Sequence, residues 1–196
     1  TYPRRLCIDK TGNIYVTTDY SVRKISADGK VTTMAGKPAQ GDFKPGSGKE
    51  ATFREIKAIA VDSKGNVYVA QNNNNGGGSS IAKISPAGLV SVFVGDINQW
   101  EKEGVSPDGI GKAARFMQIN ALTVDKNDNL LIGEKSRVRK VTPAGVVTTL
   151  AGNKTSDWRD AVGAKAMFRN IGGLCIDSKG NILVSDQFCI RKMVKQ

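Results

Sequence analysis

Short apolar runs separated by polar turns recur along this chain in the same order four times. Each copy opens on three largely apolar residues closed by aspartate: Leu6-Cys7-Ile8-Asp9, Ile59-Ala60-Val61-Asp62, Leu122-Thr123-Val124-Asp125 and Leu174-Cys175-Ile176-Asp177. A turn pair follows (Gly12-Asn13, Gly65-Asn66, Asp128-Asn129, Gly180-Asn181) and leads into a second apolar run, such as Ile14-Tyr15-Val16 or Val67-Tyr68-Val69. The third run alternates cations with branched residues, as in Val22-Arg23-Lys24-Ile25 and Val138-Arg139-Lys140-Val141. In three copies a fourth run closes on glycine, at Gly36, Gly95 and Gly152. Short β-rich runs punctuated by Gly, Asn and Asp predict antiparallel strands joined by hairpins. No window sustains a helical period. The long segments between copies end in Ala-x-Phe (Ala51/Phe53, Ala114/Phe116, Ala166/Phe168) and leave room for a helical turn, no more.

The runs grade in polarity along each copy. The first two are almost wholly apolar, as in strands covered on both faces, and the last is rich in threonine. A four-stranded sheet with a buried inner edge and a polar outer edge is a propeller blade packed between neighbours. The expected fold class is therefore all-β, with blades at approximately 6–36, 59–95, 122–152 and 174–196. The fourth copy stops after its third run, so about three and three-quarter blades are expected, a number that should not close a ring alone.

The repeat resembles the NHL family of β-propellers. The carriers are the Gly-Asn-apolar-Tyr-Val phrase and, between blades, Thr148-Thr149-Leu150-Ala151-Gly152 and Asp108-Gly109-Ile110-Gly111-Lys112-Ala113-Ala114-Arg115-Phe116. The resemblance covers essentially the whole chain. It implies a six-bladed ring, of which this region would be the C-terminal part, with the remaining propeller blades supplied by a parent chain or another chain. The variant is similar to repeats of bacterial envelope proteins, which implies an extracellular or cell-envelope location. Fold alone does not specify activity, which has to be argued from sites.

Composition removes several chemistries. The 196 residues include no histidine, which excludes Ser-His-Asp and Cys-His nucleophile systems and His-ligated zinc. NHL-type amidating lyases need metal-binding histidines and are excluded with them. The repeated Asp9, Asp62, Asp125 and Asp177 are expected to bond the amides of their own turns. No cofactor and no metal site is expected, and no apolar run approaches the roughly 18 residues of a membrane span. Three cysteines do not make a disulfide framework. Cys7 and Cys175 occupy equivalent inner positions and are expected to be core thiols.

Two copies carry an acid at the end of the second run and an arginine five residues on: Glu134 with Arg139, and Asp186 with Arg191. The second copy replaces both members, with Gln71 and Ala82, and the first pairs Arg23 with Thr18 and Asp19. Joint replacement predicts a structural acid–Arg pair. Candidate recognition residues lie elsewhere. The second copy is lengthened at 71–80 and 96–115, two connections that emerge at the same end of an up-and-down blade. That end also collects Trp100 and Trp158 in long connections, Tyr20 and Phe188 in short ones, and Asn73, Asn74 and Asp108. Flat aromatic faces beside amide and carboxylate groups suit a sugar or a protein surface.

Net charge is +11, from 29 Lys and Arg against 18 Asp and Glu. The three long connections (37–52, 96–115, 153–167) are nearly balanced, so the excess is expected on the opposite turns, the third strands and the ends of the chain. Single-stranded RNA binding needs clustered cations with interleaved aromatics, so nucleic acid is not the expected partner. The expected function is a non-catalytic module binding a glycan or a protein through the lengthened loop face. The alternatives are a calcium-dependent propeller hydrolase or lactonase with its acids in other blades, and RNA binding.

Overall fold

The structure is a computed structural model that describes residues 2–37, 41–73, 78–99 and 106–194. The fold is all-β, and four antiparallel sheets form a propeller-like arrangement of four blades. The first blade runs β1 (Arg5–Ile8), β2 (Ile14–Thr17), β3 (Ser21–Ile25) and β4 (Val31–Gly36) in simple up-and-down order. After the short β5 (Gly46–Ser47), the second comprises β6 (Ile56–Val61), β7 (Val67–Asn72), β8 (Ser79–Ile84) and β9 (Leu89–Gly95). After β10 (Gly109–Ile110), the third comprises β11 (Ile119–Val124), β12 (Leu130–Glu134), β13 (Arg137–Val141) and β14 (Val146–Gly152). The fourth has β15 (Ile171–Ile176), β16 (Ile182–Asp186) and β17 (Cys189–Met193).

Two blades are wider than the sequence pattern predicts. β5 pairs with β9 and β10 with β14, adding a two-residue fifth strand to the outer edges of the second and third sheets. These additions cover backbone groups that an edge strand would leave unpaired. One-turn 3-10 helices (Gly48–Glu50, Gly111–Ala113, Gly163–Lys165) follow and pack on the outer strand of the preceding blade. Each connector thus ties two blades together.

The core is three apolar layers, one between each pair of successive sheets. Each layer contains the connector phenylalanine, Phe53, Phe116 or Phe168, all buried. The same repeat position changes environment only where a neighbouring sheet ends. Val22, Ile81 and Val138 are 0% exposed between blades, whereas the equivalent Ile190 in the fourth blade is 71% exposed. On the first blade Leu6 is 69% exposed where the equivalent Ile59 is buried. Cys175 follows the same rule. It was expected in the core but is exposed, because no described sheet covers its face; burial against the second blade pushes the Cys7 thiol up to about 12.

The Asp-x-x-Gly/Asp-Asn turns are built by their aspartates. Asp9 Oδ1 accepts the N–H groups of Thr11 and Asn13 while Oδ2 accepts Asn13 Nδ2. The carboxylates of Asp62, Asp125 and Asp177 receive the equivalent three bonds. Burial alone would raise Asp9, yet the bonds from Asn13 and Thr11 hold it well below the usual carboxylate range; Asp177 is lowered too, first by the Asn181 amide. A carboxyl depressed in the folded state stabilises the fold above its unfolded pKa, and that contribution is lost as pH falls. The thermal midpoint should therefore be flat near neutrality and drop below about pH 4. Asp9→Asn and Asp177→Asn should each flatten that acid limb in a pH series of melting curves.

Candidate functional site

At the start of the innermost strand, three blades share an irregularity. Ile56 pairs with Gln71 and Ala58 with Ala70, so Lys57 is an extra residue in β6; Asn120 and Gly172 are its counterparts in β11 and β15. A bulge re-aims the side chain it carries. Here the three bulge residues border a cleft of about 780 Å³, where side chains from all four blades meet. Arg5 enters from β1, Lys135 and Gln187 from the turns after β12 and β16, and Arg169 from the connector into β15.

The cleft frame is fixed by bonds between blades. The N–H of each leading isoleucine reaches back to the preceding blade: Ile56 to Asp19 O (3.0 Å), Ile119 to Asn72 Oδ1 (3.3 Å) and Ile171 to Lys135 O (3.0 Å). Asn120 Nδ2 donates to Ile171 O at 2.8 Å. A residue at or next to the end of each of these second strands supports the entering segment. Gln71 Oε1 accepts Arg54 N–H, Glu134 Oε1 accepts Met117 N–H, and Asp186 Oδ1 accepts both Arg169 and Asn170 N–H.

Among the described residues four cations line the cleft, namely Arg5, Lys57, Lys135 and Arg169, and no carboxylate does. Lys57 donates to Glu55 beside it, and Arg169 stands 3.9 Å from the exposed Asp157. Among the described residues, neither Arg5 nor Lys135 is paired with a carboxylate. A mouth of this sign repels a divalent cation and attracts an anion. Among the described residues, no three His, Cys, Asp or Glu side chains gather as a metal site would require.

The sequence candidates fall away from this cleft. Trp100 and Asn74 lie outside the described residues, as do parts of both lengthened connections. Trp158 is 54% exposed on the flank of the fourth blade, with the Arg191 guanidinium 5.8 Å from its ring centre. Phe188 is exposed at the tip of the β16–β17 turn and Tyr20 is half-buried; neither borders the cleft. Asn73 is occupied, donating to Ile97 O at 3.3 Å and accepting from Arg54 at 3.0 Å. That bond, and the close approach of Gly78 to the backbone of Asp96 and Gln99, bring the two lengthened connections together. The 71–80 segment is less of a loop than expected. Asn72 pairs with Ser79, and both bind the third blade through Ile119, Phe116 and Met117.

Asp108 is a brace. It accepts Arg139 Nη2 at 2.8 Å and the N–H and Oγ–H of Thr149, both at 3.0 Å. Arg139 is 0% exposed and also donates to Glu134 (3.3 Å), Ser106 Oγ (2.9 Å) and the carbonyls of Pro107 and Arg115. Burial pushes the Glu134 carboxyl up, and Arg139 and Ser106 draw it back. Arg191 repeats the arrangement with Asp186 (3.1 Å), Asp160 (2.6 Å) and the Met167 carbonyl, and it stacks 4.5 Å from the Phe168 ring. Each arginine pins a connector against its own blade.

No family model matches the chain, and no curated protein matches it. Solved structures do. A Bacteroides thetaiotaomicron protein of unknown function is 21% identical at a TM-score of 0.53, covering 98% of this chain and 69% of its own. An auxiliary nutrient binding protein from Bacteroides ovatus is 14% identical at 0.51, covering 97% and 59%. A gluconolactonase from Xanthomonas campestris is 12% identical at 0.56, covering 96% and 55%. The fold is a β-propeller. At these identities the likeness shows that architecture alone, and the chain spans little more than half to about two-thirds of these proteins.

Proposed function

We propose that this chain is a non-catalytic binding module of NHL type that holds a glycan or a protein ligand at the loop end of its propeller. The observation that carries the reading is the cleft of about 780 Å³ where all four blades contribute side chains. A concave site framed by rigid strands and lined by a few convergent polar groups is what ligand recognition requires. The repeat phrase supports the NHL assignment.

The ring in this reading has six blades, the others supplied by a longer parent chain or another chain. Two observations support it: the exposed apolar faces around Leu6 and Ile190, which match positions buried between blades, and the share of the longer solved propellers that four blades span. An extracellular or envelope location belongs to the same proposal and rests on the repeat's resemblance alone.

Gly172 offers a direct test, because a Cβ there meets nothing closer than Ser185 Oγ at 3.5 Å and its φ is not in the left-handed region. Gly172→Trp should fill the cleft, leave the melting temperature unchanged and abolish retention of whichever glycan or envelope protein the native chain binds in a panel screen. Undiminished retention by that variant would place recognition elsewhere.

A further inference from the structure

The cleft's side chains are chemically uneven, and the unevenness selects a ligand. Its charged groups among the described residues are all cations, and they come from four different blades: Arg5, Lys57, Arg169 and Lys135. Each sits in the first residues of a strand, in a tight turn or in the connector entering a strand. A guanidinium receives a carboxylate through two parallel N–H bonds, and a flexible ammonium meets an anion as a point charge. Arg5 and Lys135 have no carboxylate partner among the described residues, so a ligand anion need not displace one.

The neutral lining is amide. Gln118, Asn170 and Gln187 border the cleft together with Asn120. Among the described residues the side chains of Gln118 and Asn170 have no hydrogen-bond partner, whereas Asn120 has committed its Nδ2 to Ile171 O. A carboxamide donates and accepts at once, which matches a hydroxyl. Among the described residues no aromatic ring borders the cleft, so they offer no platform for stacking nucleobases, the usual means of holding single-stranded nucleic acid.

We infer that the cleft binds an acidic oligosaccharide, with Arg5 and Lys135 receiving sugar carboxylates and the amides of Gln118 and Asn170 meeting the hydroxyls. This rests on the binding-module reading and names its ligand class. Carboxylates spaced along a uronic acid chain match cations held on separate blades, and the hydroxyls between them match the amides.

The probe is hexagalacturonate, titrated calorimetrically into the native protein beside maltohexaose, a sulfated oligosaccharide of the same length and a single-stranded RNA dodecamer. Hexagalacturonate should bind and maltohexaose should not. Arg5→Gln with Lys135→Gln should weaken hexagalacturonate binding about tenfold or more, without changing the melting temperature. Equal binding of maltohexaose, untouched by the two substitutions, would overturn the acidic specificity while leaving the binding module standing. Preference for the sulfated sugar or the RNA would overturn the carboxylate assignment. Full hexagalacturonate binding by Gly172→Trp would overturn the site itself.

Discussion

Replacing Arg139 with alanine should destabilise the protein by about 3–5 kcal/mol, the range for removing one partner of a buried ion pair. The guanidinium is fully buried, yet its two terminal nitrogens serve Glu134, Asp108, Ser106 and two carbonyls, and its plane lies 5.1 Å from the Phe116 ring centre. Alanine leaves the Glu134 carboxylate in the interior with the Ser106 hydroxyl, the Met117 N–H and the more distant Arg137 charge in place of its buried partner. It also releases the connector that carries Pro107 and Asp108. Arg139→Lys should recover little, since one ammonium cannot span acceptors set for a planar fork. Glu134→Gln combined with Arg139→Met should be less destabilised than Arg139→Met alone, because the stranded charge is then gone. Arg191→Ala should cost less, as its partner Asp160 is largely exposed. Urea unfolding with constant m-values measures the series; a loss under about 1 kcal/mol for Arg139→Ala would mean the pair is not the brace described.

What the sequence made legible follows from what repeats. Four copies of one hydrophobic pattern set the strand order and the inward faces, because each copy meets the same neighbours. The acid–arginine spacing stood out because both members change together in the second blade, where Gln71 keeps the backbone-capping role and turns its amide to Ser80. Features that depend on a copy's place in the array were hidden. Cys7 and Cys175 are equivalent in sequence, and only the neighbouring sheet makes one half-buried and the other exposed.

The cleft was hidden for another reason. Lys57 reads as an ordinary strand residue until the bulge turns it toward the axis, and balancing charge over the connections left Arg5, Lys57 and Arg169 out of the sum. Its signal was present: Lys57, Asn120 and Gly172 differ while the isoleucine before each is constant. Asp108 misled in the opposite sense. An acid in a lengthened, polar connection suggests a ligand contact, and nothing local shows that a buried arginine three strands later will claim it.

The glycines closing the fourth strands give a prediction in which backbone strain and packing separate. Gly152 has φ 88°, and a Cβ placed on it would stand 2.2 Å from Ser136 O and 3.0 Å from the Phe168 ring. Gly29 has nearly the same backbone angle, φ 86°, with nothing within 4 Å. Alanine at Gly29 meets only the left-handed conformational penalty, about 1 kcal/mol. Alanine at Gly152 adds the displacement of a backbone carbonyl and of the phenylalanine that plugs the layer between blades. Overpacking of that kind raises the total to about 3 kcal/mol. Gly36→Ala, with Tyr20 O named by the same close approach, should resemble Gly152→Ala, and Gly95→Ala, whose nearest atom is 2.7 Å away, should be milder. Chemical denaturation of the four alanine variants ranks them. Equal losses at Gly29 and Gly152 would show that the glycine is required for its backbone angle alone, and that Phe168 can yield without disturbing the contact between the third and fourth blades.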